Sequence, residues 1–159
     1  MSDSLIGRKS ISCTLTGHRK LGKGFDIVQL ERAVDDVINK GVTIFYCGMA
    51  TGFDLIAAKV VLERKSGNRD IKLIACVPCP DQERYYTLNE KKIYSEVLNA
   101  CDEVKLVSEK YFNGCMLVRD RFMVDNCETV LAYLDGRNEG GTAYTVRYAR
   151  CLDRRIYII

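Results

Sequence analysis

Histidine occurs once in this chain of 159 residues, and proline twice. One imidazole, His18, supplies no histidine pair for a zinc site of the usual kinds. The two prolines, Pro78 and Pro80, flank Cys79: one lies inside "CVPC" and the other follows it. They mark a loop leaving a strand, whereas a redox CxxC should open a helix. Cys76 and Cys79 are therefore read as plain thiols. Long apolar runs are missing too. No stretch approaches the roughly 20 residues needed to cross a bilayer, and "MSDSLIGRKS" has no apolar signal core. No membrane partner is expected, and the expected location is the cytoplasm. Neither sign of charge dominates: the formal net charge is +3. That balance favours anionic ligands slightly but does not by itself indicate nucleic-acid binding. The dinucleotide fingerprint GxGxxG is absent after the first strand candidate, which argues against ordinary NAD-dehydrogenase chemistry.

The length that remains suits one domain, residues 1–159, with a substantial core. Most cysteines lie in apolar runs, as Cys13, Cys47 and Cys127 do. They read as small buried hydrophobes, and no disulfides are expected in a reducing compartment.

Hydrophobic periodicity alternates between two forms along the chain. Strand candidates are Ser10–Leu15, Val42–Gly48, Ile71–Val77, Glu103–Val107, Thr129–Leu134 and the terminal "RIYII". Helical patterns fill the intervals. Asp26 reads as an N-cap and Gly41 as the residue that closes the first helix. Thr87 and Glu90 have capping-box spacing. Six strands alternating with five helices predict an α/β fold: a Rossmann-like, doubly wound, mainly parallel six-stranded sheet with helices on both faces. The apolar strands predict burial on both sides.

In such sheets ligands bind beyond the carboxyl ends of the strands. Three glycine clusters fall there: Gly17 after the first strand, Gly48 and Gly52 after the second, and Gly140 with Gly141 after the fifth. Glycine permits close backbone approach, and a helix N-terminus favours an anion. The stretch Gly140, Gly141, Thr142 therefore reads as a phosphate-binding loop, with the Thr142 hydroxyl as a further donor. Arg119 lies on an apolar helical stripe with Met116, Met123 and Cys127. It requires a partner there. The partner is either a core carboxylate such as Asp54 or a ligand phosphate. Asp54 either favours the dipole of its helix or accepts from a ribose. His18 and Arg19 are either an exposed basic loop or ligand contacts. Asp125 reads as solvated, and Tyr85, Tyr86 and Tyr111 read as ordinary loop tyrosines, with stacking on a base as the alternative.

Four stretches, "LTGHR", "GMATGFD", "VRDRFMVDNCETVLAYLDG" and "GGTAYTVRYA", together resemble the SLOG superfamily of Rossmann-like nucleotide-ligand-binding proteins, and within it the YpsA-like branch. The resemblance spans nearly the whole chain. It implies a single Rossmann-like domain with a pocket for a nucleotide or nucleotide derivative, ADP-ribose-like or NAD-like. The matching positions are Gly17, His18, Arg19, Gly48, Gly52, Asp54, Arg119, Gly140, Gly141 and Thr142. A sensor or regulatory module is the leading expectation, and a homodimer is the assembly the superfamily suggests.

The superfamily also contains LOG phosphoribohydrolases, which release a base from nucleoside monophosphates. Their phosphate loop, PGGxGT, is followed closely by two glutamates. Here "EGGTAYTV" lacks the proline and one glycine, and Ala143, Tyr144 and Thr145 stand in place of acids. That departure argues against LOG-type hydrolysis, with Arg119, Asp54 and Glu139 left as catalytic candidates. DprA-type members bind single-stranded DNA, a third reading. Arg19, Lys20 and Lys23 form a short basic run for it, with few aromatics nearby. The residues suggest no metal cluster and no certain cofactor. A Mg²⁺ ion carried by ligand phosphates is compatible with such a pocket.

Overall fold

The computed structural model describes residues 7–159. The strands are β1 (Ser12–Gly17), β2 (Ile44–Cys47), β3 (Lys72–Val77), β4 (Glu103–Leu106), β5 (Thr129–Tyr133) and β6 (Arg155–Ile158). Between them run α1 (Ile27–Asn39), α2 (Phe53–Gly67), α3 (Leu88–Ala100), α4 (Cys115–Asp125) and α5 (Gly141–Cys151). All six strands join one sheet in the order β4-β3-β2-β1-β5-β6. Every neighbouring pair is parallel. This is the Rossmann-like α/β fold.

Strand side chains alternate between two covered faces. Leu15, Phe45, Leu73 and Leu131 meet Leu30 and Val34 of α1, Phe53 and Val61 of α2, and Val97 of α3. On the opposite face, Ile44, Tyr46 and Ile74 meet Met123 of α4. Val130 and Ala132 meet Val146 and Ala149 of α5. Burying each such large side chain contributes roughly 1.5–3 kcal/mol.

Side-chain caps set two of the helix starts. Asp26 accepts from the Val28 amide at 2.9 Å. Thr87 accepts from the Glu90 amide at 3.2 Å, while the Glu90 carboxylate accepts from the Thr87 amide at 2.8 Å. The helices α2 and α5 start differently. Their N-cap residues, Gly52 and Gly140, provide no side-chain acceptor.

Two expectations need correction. β1 runs Ser12–Gly17, not Ser10–Leu15, because its pairing with β5 continues until Gly17 meets Tyr133. Gly17 thus ends the strand rather than following it. Burial on both faces holds for the central strands but not for the edges. In β4, Val104 and Leu106 are each 49% exposed. Lying outermost, β4 has a neighbour on one side only.

Strand order fixes where the site forms. The chain steps from β1 out to β4, crosses back to β5 on the other side of β1, and ends at β6. The order reverses between β1 and β5, where diverging connections leave a crevice at the carboxyl ends.

Candidate functional site at the switch in strand order

A cavity of about 550 Å³ opens in that crevice. Its walls are Thr16–Lys20 at the end of β1 and just beyond it, Ala50 and Asp54 beyond β2, the first turns of α4, and Arg137 with residues 139–142 beyond β5.

One wall is the N-terminus of α5. Gly140 has φ +94, a left-handed conformation that favours glycine. The first α-helical bond there runs from the Tyr144 amide to the Gly140 carbonyl at 3.1 Å. The amides of Gly141, Thr142 and Ala143 therefore have no acceptor within the helix. Gly141 is open on its cavity side: an added β-carbon would meet only Asp120, at 3.7 Å.

Arg119 forms the floor at 4% exposure. It reaches there because Met123, one turn further along α4, anchors that helix face on β2 and β3. Its Nε donates to Asp120 Oδ1 at 2.7 Å. Nη1 donates to the Gly48 carbonyl, and more distantly to the Cys76 carbonyl at 3.4 Å. The guanidinium thus ties α4 to the ends of β2 and β3. Its partner is the neighbouring Asp120 rather than Asp54.

Asp54 lies in the first turn of α2, where its Oδ2 accepts from the Ala50 amide at 3.2 Å. Burial pushes its carboxyl up to about 7. The Arg119 charge and the Ala50 hydrogen bond oppose that rise, and the charge of Asp120 adds to it. A carboxyl in this range exchanges protons near neutrality.

His18 is 7% exposed and packs edge-on against Tyr133, with ring centres 5.8 Å apart. It belongs to a buried wall, not to an exposed basic loop. Its Nε2 lies 3.3 Å from Asp135 Oδ1 but makes no hydrogen bond. Burial and the Arg137 charge lower its pKa against the pull of Asp135. The imidazole is therefore mainly neutral near pH 7. Arg137 binds Asp135 through two hydrogen bonds of 2.6 Å and donates to the Lys20 carbonyl at 2.8 Å. That latch joins the loops beyond β1 and β5. Arg19 is exposed and contacts Met116 Sδ from across the cleft at 2.9 Å.

The structure thus gathers Gly17, His18, Arg19, Asp54, Arg119, Glu139, Gly140, Gly141 and Thr142 around one cavity. Gly48 and Gly52 stand behind the wall instead. A β-carbon on Gly48 would come within 2.6 Å of Arg119 Nη1. One on Gly52, where φ is +73, would overlap the Arg19 carbonyl. Gly17 lines the cavity, and a β-carbon on it would overlap the Phe53 side chain. Of the tyrosines, Tyr86 donates to the Met49 carbonyl at 2.9 Å and belongs to the frame. Asp125, on the outer side of α4, accepts from Tyr148 at 2.5 Å.

Sequence reasoning missed Asp120, Arg137 and Met116 as parts of the site. A signal for Asp120 existed: it stands four residues after Met116 and three before Met123, on the buried stripe. Nothing local marked Arg137.

Among the described residues, no three His, Cys, Asp or Glu side chains converge as a metal set. No helix among them is long and apolar enough to cross a membrane.

Comparison with known proteins gives a consistent placement. The chain is 24% identical over 149 residues to the UPF0398 protein BH1768 of Halalkalibacterium halodurans, covering 92% of this chain and 79% of that one. It is 28% identical over 118 residues to the uncharacterized SPbeta prophage-derived protein YoqJ of Bacillus subtilis, covering 67% and 68%. Among solved structures, DNA processing protein A of Helicobacter pylori superposes with a TM-score of 0.64 at 18% identity, covering 98% of this chain and 67% of that chain. The Streptococcus pneumoniae protein DprA gives 0.63 at 18% identity, covering 94% and 50%. The YpsA family model, described as the YspA SLOG family, matches residues 24–157. That span includes both carboxylates of the floor, Arg119 and the start of α5. With this match over most of its length, the chain belongs to the YspA SLOG family.

Proposed function

We propose that the protein binds a nucleotide-derived small molecule of the ADP-ribose or NAD-like class at the switch in strand order, and acts as a sensing or regulatory module. One observation carries this reading. The uncapped N-terminus of α5 meets a buried floor of Arg119, Asp120 and Asp54 inside a cavity of about 550 Å³. That volume lies in the usual range for small-molecule sites, roughly 300–1,000 Å³. Free helix amides accept phosphate oxygens. In this reading Asp54 accepts from ribose hydroxyls, and Arg19 and Lys20, exposed at the rim, supply cations. The glycines Gly48 and Gly52 serve the site indirectly by letting Arg119 and the first loop close in.

A second reading, N-glycosidic hydrolysis of a nucleotide, draws support from Asp54. Its carboxyl, raised to about 7, suits general acid or base work near neutral pH. Glu139, which lines the same cavity, is the second candidate carboxylate for this reading. The Helicobacter pylori DNA processing protein A binds single-stranded DNA. For this chain such binding is a third reading, distinguished by a steep salt dependence.

The test incubates pure protein with nucleoside monophosphates, NAD, ADP-ribose and an oligonucleotide, following thermal stabilisation and released base together. Stabilisation by ADP-ribose or NAD without released base is the expected result. Released base would replace the binding reading with hydrolysis. Stabilisation by the oligonucleotide alone would overturn both.

A further inference from the structure

The N-terminus of α5 shares its space with a carboxylate of the chain itself. Asp120 lines the same cavity as Gly140, Gly141 and Thr142 and is 7% exposed. Its Oδ1 is held by Arg119 Nε at 2.7 Å. Arg119 is in turn fixed by the Gly48 carbonyl, so a carboxylate that swung away would leave a buried guanidinium without its ion-pair partner. Its Oδ2 lies 3.7 Å from where a β-carbon on Gly141 would stand. The second oxygen is thus beside the helix end that carries the free amides.

The local charges decide what can join it. Arg119 is already matched by Asp120, and Arg137 by Asp135. Asp54 adds a second acid to the floor. The cations left to meet a ligand are Arg19 and Lys20, both exposed at the rim. A terminal phosphomonoester carries roughly −1.5 to −2 charge near pH 7. Seated on α5, it would hold its second charge within a few ångströms of Asp120, in a partly desolvated site where repulsion is strong. An internal phosphate, linked on two sides through ester or anhydride oxygens, carries a single charge and no second ionisation.

We propose that Asp120 determines specificity here: it lets the N-terminus of α5 accept an internal, singly charged phosphate and reject a terminal phosphomonoester. The ligand class becomes a pyrophosphate-bridged dinucleotide or nucleoside diphosphate sugar, and a nucleoside monophosphate is excluded. This rests on the ligand-binding reading above and narrows it.

The experiment is calorimetric titration of the full chain, at low salt and about pH 7.5, with three probes: AMP, the methyl ester of its 5′-phosphate, and ADP-ribose. AMP and its methyl ester share base, ribose and phosphorus and differ by one charge. The wild type should bind the methyl ester and ADP-ribose at least about tenfold more tightly than AMP. Asp120→Asn keeps an acceptor for Arg119 Nε and removes the charge. It should bring AMP within about threefold of the methyl ester, through a gain for AMP. If AMP binds the wild type as tightly as its ester, the proposal is overturned while the ligand site stands. Unchanged discrimination in a folded Asp120→Asn protein also overturns it. If none of the three binds the wild type, the ligand-site reading itself fails and takes this inference with it. The comparison within the wild type needs no variant, so instability of Asp120→Asn does not remove the test.

Discussion

The Nη1 of Arg119 donates to the carbonyl of Gly48, so a buried cation on α4 closes directly onto the end of β2. Gly48 has no side chain to keep it off: a β-carbon there would lie 2.6 Å from Nη1 and 2.7 Å from Cζ. The contact is to the guanidinium itself, which is held at both ends. Gly48→Ala should therefore destabilise the protein by about 1–3 kcal/mol, the usual cost of overpacking. Urea denaturation checks this. A stability equal to wild type would show that Arg119 has room to withdraw.

Arg119 and Asp120 form a buried ion pair, with side chains 5% and 10% exposed. Removing one partner strands the other. Arg119→Met should cost about 3–5 kcal/mol, and the double variant Arg119→Met, Asp120→Leu should recover much of it. Denaturation of the two singles and the double closes the cycle. Additive losses would mean that the pair contributes little as a pair. The same cycle guards any binding assay on Arg119→Ala, because lost affinity there counts only in a folded protein.

Asp54 makes stability depend on pH. Its folded pKa, about 7, lies above the ordinary 3.8. A raised carboxyl contributes stability that is fully present below the unfolded value and is lost as pH rises through the folded one. The wild type should therefore lose a few kcal/mol relative to Asp54→Asn between about pH 4 and pH 7, and nothing further above pH 8. Asp102 and Asp135, whose carboxyls are lowered by Lys65 and Arg137, drift the opposite way. They are common to both proteins and cancel in the difference. Parallel pH profiles would place Asp54 at an ordinary pKa.

Gly141→Val tests the α5 cradle without disturbing the frame. The only atom near an added β-carbon is Asp120 Oδ2, at the ordinary distance of 3.7 Å. The variant should melt within about 1 kcal/mol of wild type while losing ADP-ribose binding. Retained binding in the calorimeter would move the ligand off the helix end.

Much of this fold was legible because its signals are local. The Thr87–Glu90 capping box, the Asp26 cap and the apolar stripes each need only one helix to be read. Strand order was not legible, because nothing in β1 states that β2 and β5 will flank it. The site divided along the same line. Gly140 and Gly141 could be read from their position before a helix. The roles of Gly17, Gly48 and Gly52 depend on Phe53, Arg119 and the Arg19 carbonyl, contacts that exist only after folding. Arg119 was recognised by its misfit on an apolar stripe. A core carboxylate or a ligand phosphate was the expected partner, and Asp120 was not singled out for it, since adjacent helix residues seldom meet. Asp120 meets it because Oδ1 reaches Nε, the nearest nitrogen of the guanidinium.

The central place of β1 has a consequence for hydrogen exchange. Thr14 and Leu15 are paired to β5 on one side and to β2 on the other, so exposing their amides requires breaking the sheet. Their deuterium uptake should follow global unfolding. The amides of Gly141, Thr142 and Ala143, a few residues beyond β5, have no partner within their helix and should exchange early. A ligand seated on α5 would slow those three and leave the β1 amides limited by global stability. One exchange map would then report the ligand footprint and the stability of the whole protein side by side.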